Sequence, residues 1–152
     1  MDEASRRGPI TIVLADDHQV VRAGLRMLLQ AEEGFEVVAE AGDVATTERR
    51  VTVYHPRVLI LDLNMPGESS LPAIPRLRQS APATQIVVLT MQNDPAFARE
   101  ALRAGAVGYV LKEAADSELT MAIHQVMAGR RYLNRRLAGD LLADDILTGG
   151  WD

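Results

Sequence analysis

An uninterrupted apolar run, Val58-Leu59-Ile60-Leu61, ends in one carboxylate, Asp62, and the chain breaks just beyond it at Met65-Pro66-Gly67. A short apolar run bounded by turn signals reads as a strand buried on both faces. Such strands belong to parallel sheets covered by helices. Asp62 then stands at the carboxyl end of a central strand, the edge where open α/β sheets form their ligand crevice. A carboxylate in that place is a metal ligand, a nucleophile or a helix cap. Three other strand ends help to decide which.

The rest of the chain alternates in the same rhythm. Strands are predicted at 10–15, 35–41, 58–62, 85–90 and 107–111, each β-branched or apolar and each closed by polar or turn residues. Between them, Val20, Val21, Leu25, Leu28 and Leu29 recur at helical spacing, giving a helix over about 19–30. Asp43 is placed to cap a helix over 44–54, and His55-Pro56 ends it. A third helix follows Glu68-Ser69-Ser70 with Leu71, Ile74 and Leu77 on its apolar face; Pro72 suits a first turn, whereas Pro75 is expected to distort it. Asp94-Pro95 opens a fourth, closed by Gly105, with the aspartate as N-cap and proline in the first helical position. Asp116 or Ser117 is expected to cap a fifth, which carries Leu119, Ala122, Ile123, Val126 and Met127 and stops at Gly129. Five strands alternating with five helices imply right-handed crossovers and a parallel, doubly wound α/β sheet.

At 152 residues the chain is expected to form one such domain with little left over. The absence of cysteine excludes a disulfide framework, a thiol nucleophile and a cysteine zinc site, and His18, His55 and His124 form no ligand spacing. A net charge of −5 argues against nucleic-acid binding by this segment itself. The first residues lack the apolar core of a signal peptide, and no apolar run is long enough for a membrane span, so a cytoplasmic protein is expected. Residues 1–8 read as a disordered lead, 9–130 as the domain, and 131–152 as a linker helix lined by Leu137, Leu141, Leu142 and Ile146, followed by the start of a C-terminal domain cut short near Trp151.

Asp16 and Asp17 follow the first strand, Asp62 ends the third, Thr90 the fourth and Lys112 the fifth. One strand-helix unit takes about 25 residues, so these spacings bring every one of them to the same edge of the sheet. Carboxylates gathered there repel each other and call for a cation. Hard oxygen donors without His or Cys favour Mg²⁺ over zinc, and Mg²⁺ recruits phosphate oxygens among its other ligands. A lysine and a hydroxyl beyond the metal suit the remaining oxygens of a phosphoryl group. Asp62 is placed to attack phosphorus and form an aspartyl phosphate. Taken singly, Asp16-Asp17 could cap a helix, Thr90 a strand end, Lys112 could be solvated and Tyr109 could be core. His18 is read as a surface residue or one acting behind the ligands.

The chain resembles a response-regulator receiver domain of two-component signalling. The matching pieces are Asp16-Asp17, the D-L-N-M-P-G run from Asp62, Thr90 after I-V-V-L, and G-Y-V-L-K from Gly108 to Lys112. They span about residues 9–130. The D-D-H-x-x-V-R-x-G-L run from Asp16 to Leu25 is most similar to the NarL/FixJ branch, in which the receiver precedes a LuxR-type helix-turn-helix output domain. The resemblance implies a flavodoxin-like (CheY-like) five-stranded sheet of order 2-1-3-4-5. It implies that Asp62 is the phosphoacceptor for a sensor histidine kinase. Asp17 and Asp62 would ligate Mg²⁺, Asp16 would act through water, and Asn64 would offer its backbone carbonyl. Thr90 and Lys112 would hold phosphoryl oxygens, and Tyr109 would be an aromatic switch that turns inward as Thr90 moves. A homodimer is implied, with DNA bound only through a C-terminal domain. The chain departs from the family in two places. Glu113 follows Lys112 where many receivers have proline in a cis bond, and Glu68-Ser69-Ser70-Leu71 stands where a glycine usually precedes the leucine.

Two other functions compete with a phosphorylation switch. A pseudo-receiver would be an interaction module without phosphorylation control. A Mg²⁺-dependent phosphatase resembling the haloacid dehalogenase superfamily would use similar residues. There, however, the nucleophile lies on the first strand and the acidic pair comes last, the reverse of the order here.

Overall fold

The computed structural model describes residues 8–134, 137–139 and 141. Strand β1 (Ile10–Ala15) leads to helix α1 (Gln19–Gln30), β2 (Phe35–Ala41) to α2 (Val44–Tyr54), β3 (Val58–Asp62) to α3 (Ala73–Ser80), and β4 (Gln85–Thr90) to α4 (Pro95–Ala104). Strand β5 (Gly108–Leu111) runs through a 3₁₀ turn (Lys112–Ala114) into α5 (Ala115–Met127), and β6 (Tyr132–Leu133) follows. All strands pair in parallel, in the order β2-β1-β3-β4-β5-β6. The doubly wound sheet is therefore the one read from the sequence, extended at the β5 edge by a sixth, two-residue strand.

The strands are buried from both sides, as their unbroken apolar runs require. Every residue of β3 is buried, including Asp62. On one face α2, α3 and α4 bring Val44, Val51, Ile74, Leu77, Ala98 and Leu102 against Leu59, Leu61, Ile86 and Val88. On the other, α1 and α5 bring Leu25, Leu29, Leu119 and Ile123 against Ile12, Leu14, Ile60 and Val87. Alternation along each strand divides these two sets, and each fully buried Leu, Ile or Val contributes roughly 1.5–3 kcal/mol.

Two helix starts follow from their caps. The Asp43 carboxylate accepts from the Thr46 amide at 2.7 Å, and Asp94 accepts from Ala96 at 2.9 Å with Pro95 opening the helix. Two others depart from expectation. Helix α3 begins at Ala73, so Pro75 falls in its first turn, where its missing N–H has no intrahelical acceptor to lose. Helix α5 is capped by neither Asp116 nor Ser117; it continues from the 3₁₀ turn, with Ala114 in the cap position and Ser117 Oγ donating to the Ala114 carbonyl at 3.1 Å. Strand β5 starts at Gly108, one residue later than read. The Lys112–Glu113 bond is trans, since the described residues contain no cis peptide. The expected disorder of the N-terminal lead, Leu142, Ile146 and the terminal Trp151 lie outside the described residues. Among the described residues no helix is long and apolar enough to cross a membrane.

Candidate functional site at the carboxyl edge

The register brings the predicted residues to one edge. Ala15 pairs with Leu61, so Asp16 emerges beside Asp62; Thr90 pairs with Leu111, so Lys112 emerges beside it. The Asp16 amide extends the β1–β2 ladder by donating to the Ala41 carbonyl at 2.9 Å. Strands β1 and β3 are neighbours, and the chain winds outward from them in opposite directions. That is the topological switch point, where the crevice of such a sheet opens.

Asp16 and Asp62 are buried, at 0% and 2% exposure, and Lys112 lies between them. Its Nζ donates to Asp62 Oδ2 at 2.9 Å and is ion-paired with Asp16 Oδ2 at 2.9 Å. The Asn64 amide donates to Asp62 Oδ1 at 3.1 Å. Beyond Asp62, Gly67 adopts φ 89°, a conformation that L side chains resist, and turns the chain back. Ser70 then returns, fully buried, and donates its hydroxyl to the Asp62 carbonyl at 2.6 Å.

Burial raises the pKa of Asp62 above the usual carboxylate range. The Lys112 ammonium and the Asn64 amide pull against this rise, and the Asp16 charge adds to it. For Lys112, burial alone would lower the pKa, but its partnership with Asp16 and Asp62 outweighs this and leaves the ammonium more firmly protonated than usual. Three carboxylates around one ammonium leave two negative charges uncompensated. The charge that would balance them is that of a divalent cation.

The donor set fits such an ion. Oxygens of Asp16, Asp17 and Asp62 and a nitrogen of His18 all lie within 4.8 Å of one another. Asp17 Oδ1 is buried and has no hydrogen-bond partner, and buried Asp16 Oδ2 has only the shared Lys112 ammonium. Buried carboxylate oxygens left in that way are costly unless a cation meets them. Oxygen donors of this kind suit Mg²⁺.

Thr90 and Tyr109 meet one another through a third residue. Thr90, fully buried, accepts the Gln92 amide at 3.1 Å, and the Tyr109 hydroxyl donates to the Gln92 carbonyl at 2.8 Å. Tyr109 is itself completely buried, and burial followed by the Asp94 charge pushes its phenol well above the ordinary range.

Sequence reasoning missed three residues here. Gln92 acts through its backbone, so its side chain gave no signal. Ser70 stands at the expected glycine and looked like loop polarity. Arg22 lies inside the D-D-H-x-x-V-R run without an assigned part. Its guanidinium donates to the Asp16 carbonyl at 2.5 Å and to Glu40 at 3.0 Å, tying α1 to the ends of β1 and β2.

Comparison with known proteins agrees with this geometry. The model of the response regulator receiver domain family matches residues 12–124. The oxygen regulatory protein NreC of Staphylococcus haemolyticus is 44% identical over 146 residues, covering 90% of this chain and 67% of NreC. The chain thus spans about two thirds of the length of the curated relatives it matches, 65% in the case of the Staphylococcus aureus protein. A LuxR-family two-component response regulator from Aurantimonas superposes with a TM-score of 0.86 at 36% identity, over 91% of this chain and 99% of that one. The isolated RcsB receiver of Salmonella enterica, solved with the phosphomimetic BeF₃⁻, superposes with a TM-score of 0.80 at 30% identity, over 86% and 97%. RcsB has also been solved as two dimers bound to two parallel DNAs. The chain belongs to the response regulator receiver domain family and is a signalling protein rather than an enzyme.

Proposed function

We propose that this chain is the phosphorylation-controlled switch of a cytoplasmic transcriptional response regulator. Asp62 accepts a phosphoryl group from a sensor histidine kinase, with Mg²⁺ held by Asp17, Asp62 and the Asn64 carbonyl, and with Asp16 acting through water. The observation that carries this reading is the position of Lys112 Nζ, 2.9 Å from both Asp16 and Asp62, beside a buried Asp17 oxygen that has no hydrogen-bond partner.

The chemistry asks little of the protein beyond placement. An ionised Asp62 oxygen forms the new O–P bond as the P–N bond of a phosphohistidine breaks. The electron pair leaves with the imidazole, which takes a proton from solvent. The cation, when bound, neutralises charge on the phosphoryl oxygens. Lys112 is free to turn from the Asp62 carboxylate to one of those oxygens, and the Thr90 hydroxyl to another. Arg22 and Ser70 hold the backbone carbonyls of Asp16 and Asp62, so both carboxylates keep their directions.

Movement of Thr90 toward a phosphoryl group pulls on the Gln92 amide and, through the Gln92 carbonyl, on Tyr109. The α4–β5–α5 face then changes its affinity for partners. By analogy with RcsB, solved as dimers on DNA, the output is a homodimer that binds DNA through a C-terminal helix-turn-helix domain. The test is intact mass after incubation with Mg²⁺ and acetyl phosphate, with Asp62→Asn in parallel. One base-labile phosphate on wild type alone supports the assignment. No phosphate on wild type, or equal labelling of the variant, overturns it.

A further inference from the structure

The geometry points to His18 as a nitrogen ligand of the divalent cation, giving the site a preference for Ni²⁺ and other later first-row ions that carboxylates alone do not confer. The inference rests on the cation site proposed above and adds one ligand to it.

Three observations lead there. First, His18 Nδ1 lies 3.2 Å from Asp17 Oδ1 and 3.6 Å from Asp16 Oδ1. Adjacent ligands of an octahedral ion with bonds of about 2.1 Å stand about 3.0 Å apart, so these are the spacings of neighbours in one coordination shell. Second, Asp17 Oδ1 is buried and takes no hydrogen bond, although the imidazole nitrogen is so near. The two atoms stand at ion-pair distance, and a cation bound between them would give the buried oxygen the partner it lacks. Third, the ring is carried on a fixed backbone. The His18 amide donates to Asp16 Oδ1 at 2.8 Å, and the His18 carbonyl accepts from the Arg22 amide at 2.8 Å as α1 begins.

The fold does not otherwise use this side chain. His18 occupies the N-cap position of α1 but makes no side-chain capping bond, and its imidazole is 66% exposed. Its ring nitrogen meets the carboxylates of Asp16 and Asp17. An exposed ring beside an unsatisfied carboxylate can swing the short distance needed to close a shell.

Ligand chemistry sets the consequence. Mg²⁺ prefers oxygen and keeps its waters, so an imidazole adds little to its binding. Imidazole suits iron, nickel, copper and zinc, whose affinities for a given site rise along the first-row series to copper, whereas Mn²⁺ keeps the oxygen preference of Mg²⁺. The site therefore binds Mg²⁺ and Mn²⁺ mainly through its carboxylates and gains on Ni²⁺ through His18.

Pulsed electron paramagnetic resonance of the full chain with Mn²⁺, at mildly alkaline pH, tests this directly. Wild type is expected to show ¹⁴N modulation from a coordinated imidazole, replaced by ¹⁵N coupling when the histidines are ¹⁵N-labelled. His18→Ala should lose it, and its Ni²⁺ affinity should fall by at least about tenfold while Mg²⁺ affinity stays within about threefold. The other histidines are elsewhere: His55 ends α2, and His124 on α5 meets Glu32. Bound Mn²⁺ without nitrogen coupling overturns the role of His18 and leaves the cation site standing. Failure of wild type to bind Mn²⁺ or Mg²⁺ at all overturns both.

Discussion

The Tyr109 hydroxyl donates to the Gln92 carbonyl at 2.8 Å, and the amide of that same residue donates to Thr90 Oγ1 at 3.1 Å. A buried aromatic ring on β5 and a buried hydroxyl at the end of β4 are thus joined by one backbone unit. Neither group can shift without displacing Gln92 or breaking a hydrogen bond worth about 1 kcal/mol net.

Tyr109→Phe isolates that link. The ring still fills its place, but the Gln92 carbonyl loses its donor. Unfolding free energy in urea is expected to fall by about 1 kcal/mol, and amide exchange at residues 91–93 to quicken. Unchanged exchange in that loop would show that the hydrogen bond does not restrain it.

Lys112→Met removes the ammonium between two buried carboxylates. Burial already raises the Asp62 pKa above 3.8 against the pull of Lys112, so its loss raises it further. A carboxyl raised by folding stabilises below its unfolded value, and that contribution is lost as pH climbs through the folded value. Lys112 is itself raised, so its contribution is complete below 10.5 and disappears only as pH rises through its folded value. In chelator, the variant should therefore be roughly 2 kcal/mol less stable than wild type at neutral pH, with the deficit shrinking as pH falls toward the carboxylate range. Urea unfolding across pH measures it. A deficit constant with pH would sink the electrostatic account.

What the sequence disclosed, and what it withheld, follows from the kind of signal each feature leaves. Apolar runs such as Val58–Leu61 and the caps Asp43 and Asp94 are written in side chains, and both were legible. So were Asp16, Asp17, Asp62, Thr90 and Lys112, because strand spacing and chemistry pointed to one edge together. The start of α5 was misplaced because its polar residues Asp116 and Ser117 resembled a cap, while the turn at Lys112 continued straight into the helix. The two-residue strand β6 has no periodicity to detect. Gln92 contributes only backbone atoms. Ser70 differs from a loop serine only in being returned to Asp62 by the turn at Gly67, which is a tertiary fact.

Ser70→Ala tests that return. The hydroxyl is buried and donates at 2.6 Å to the carbonyl of Asp62. Removing it leaves a buried acceptor with one partner fewer, which costs about 1–2 kcal/mol. The carbonyl belongs to the residue proposed to take the phosphoryl group, so labelling by acetyl phosphate is expected to slow as well. Stability lost with an unchanged labelling rate would mean that Ser70 supports the fold without orienting Asp62.

Leu137 extends the folded unit past the boundary at residue 130 read from the sequence. The Asn134 side chain accepts from the Leu137 amide at 3.0 Å, and its carbonyl accepts from Ala138 at 2.9 Å, so Asn134 caps a helical turn. Leu137 and Leu141, one turn apart, are each 1% exposed and join the core cluster that contains Ala101, Leu102 and Tyr109. A linker leading away from the domain would have no reason to bury them there. Leu137→Ala should cost about 2–5 kcal/mol, the range for emptying a leucine site in a packed core, and Asn134→Ala about 1 kcal/mol for the lost cap. Urea unfolding of the two variants measures both. A cost near zero for Leu137→Ala would return this segment to the linker. A full core penalty would tie it to the face that carries Tyr109, so that any motion of that ring is felt by the chain leading out of the domain.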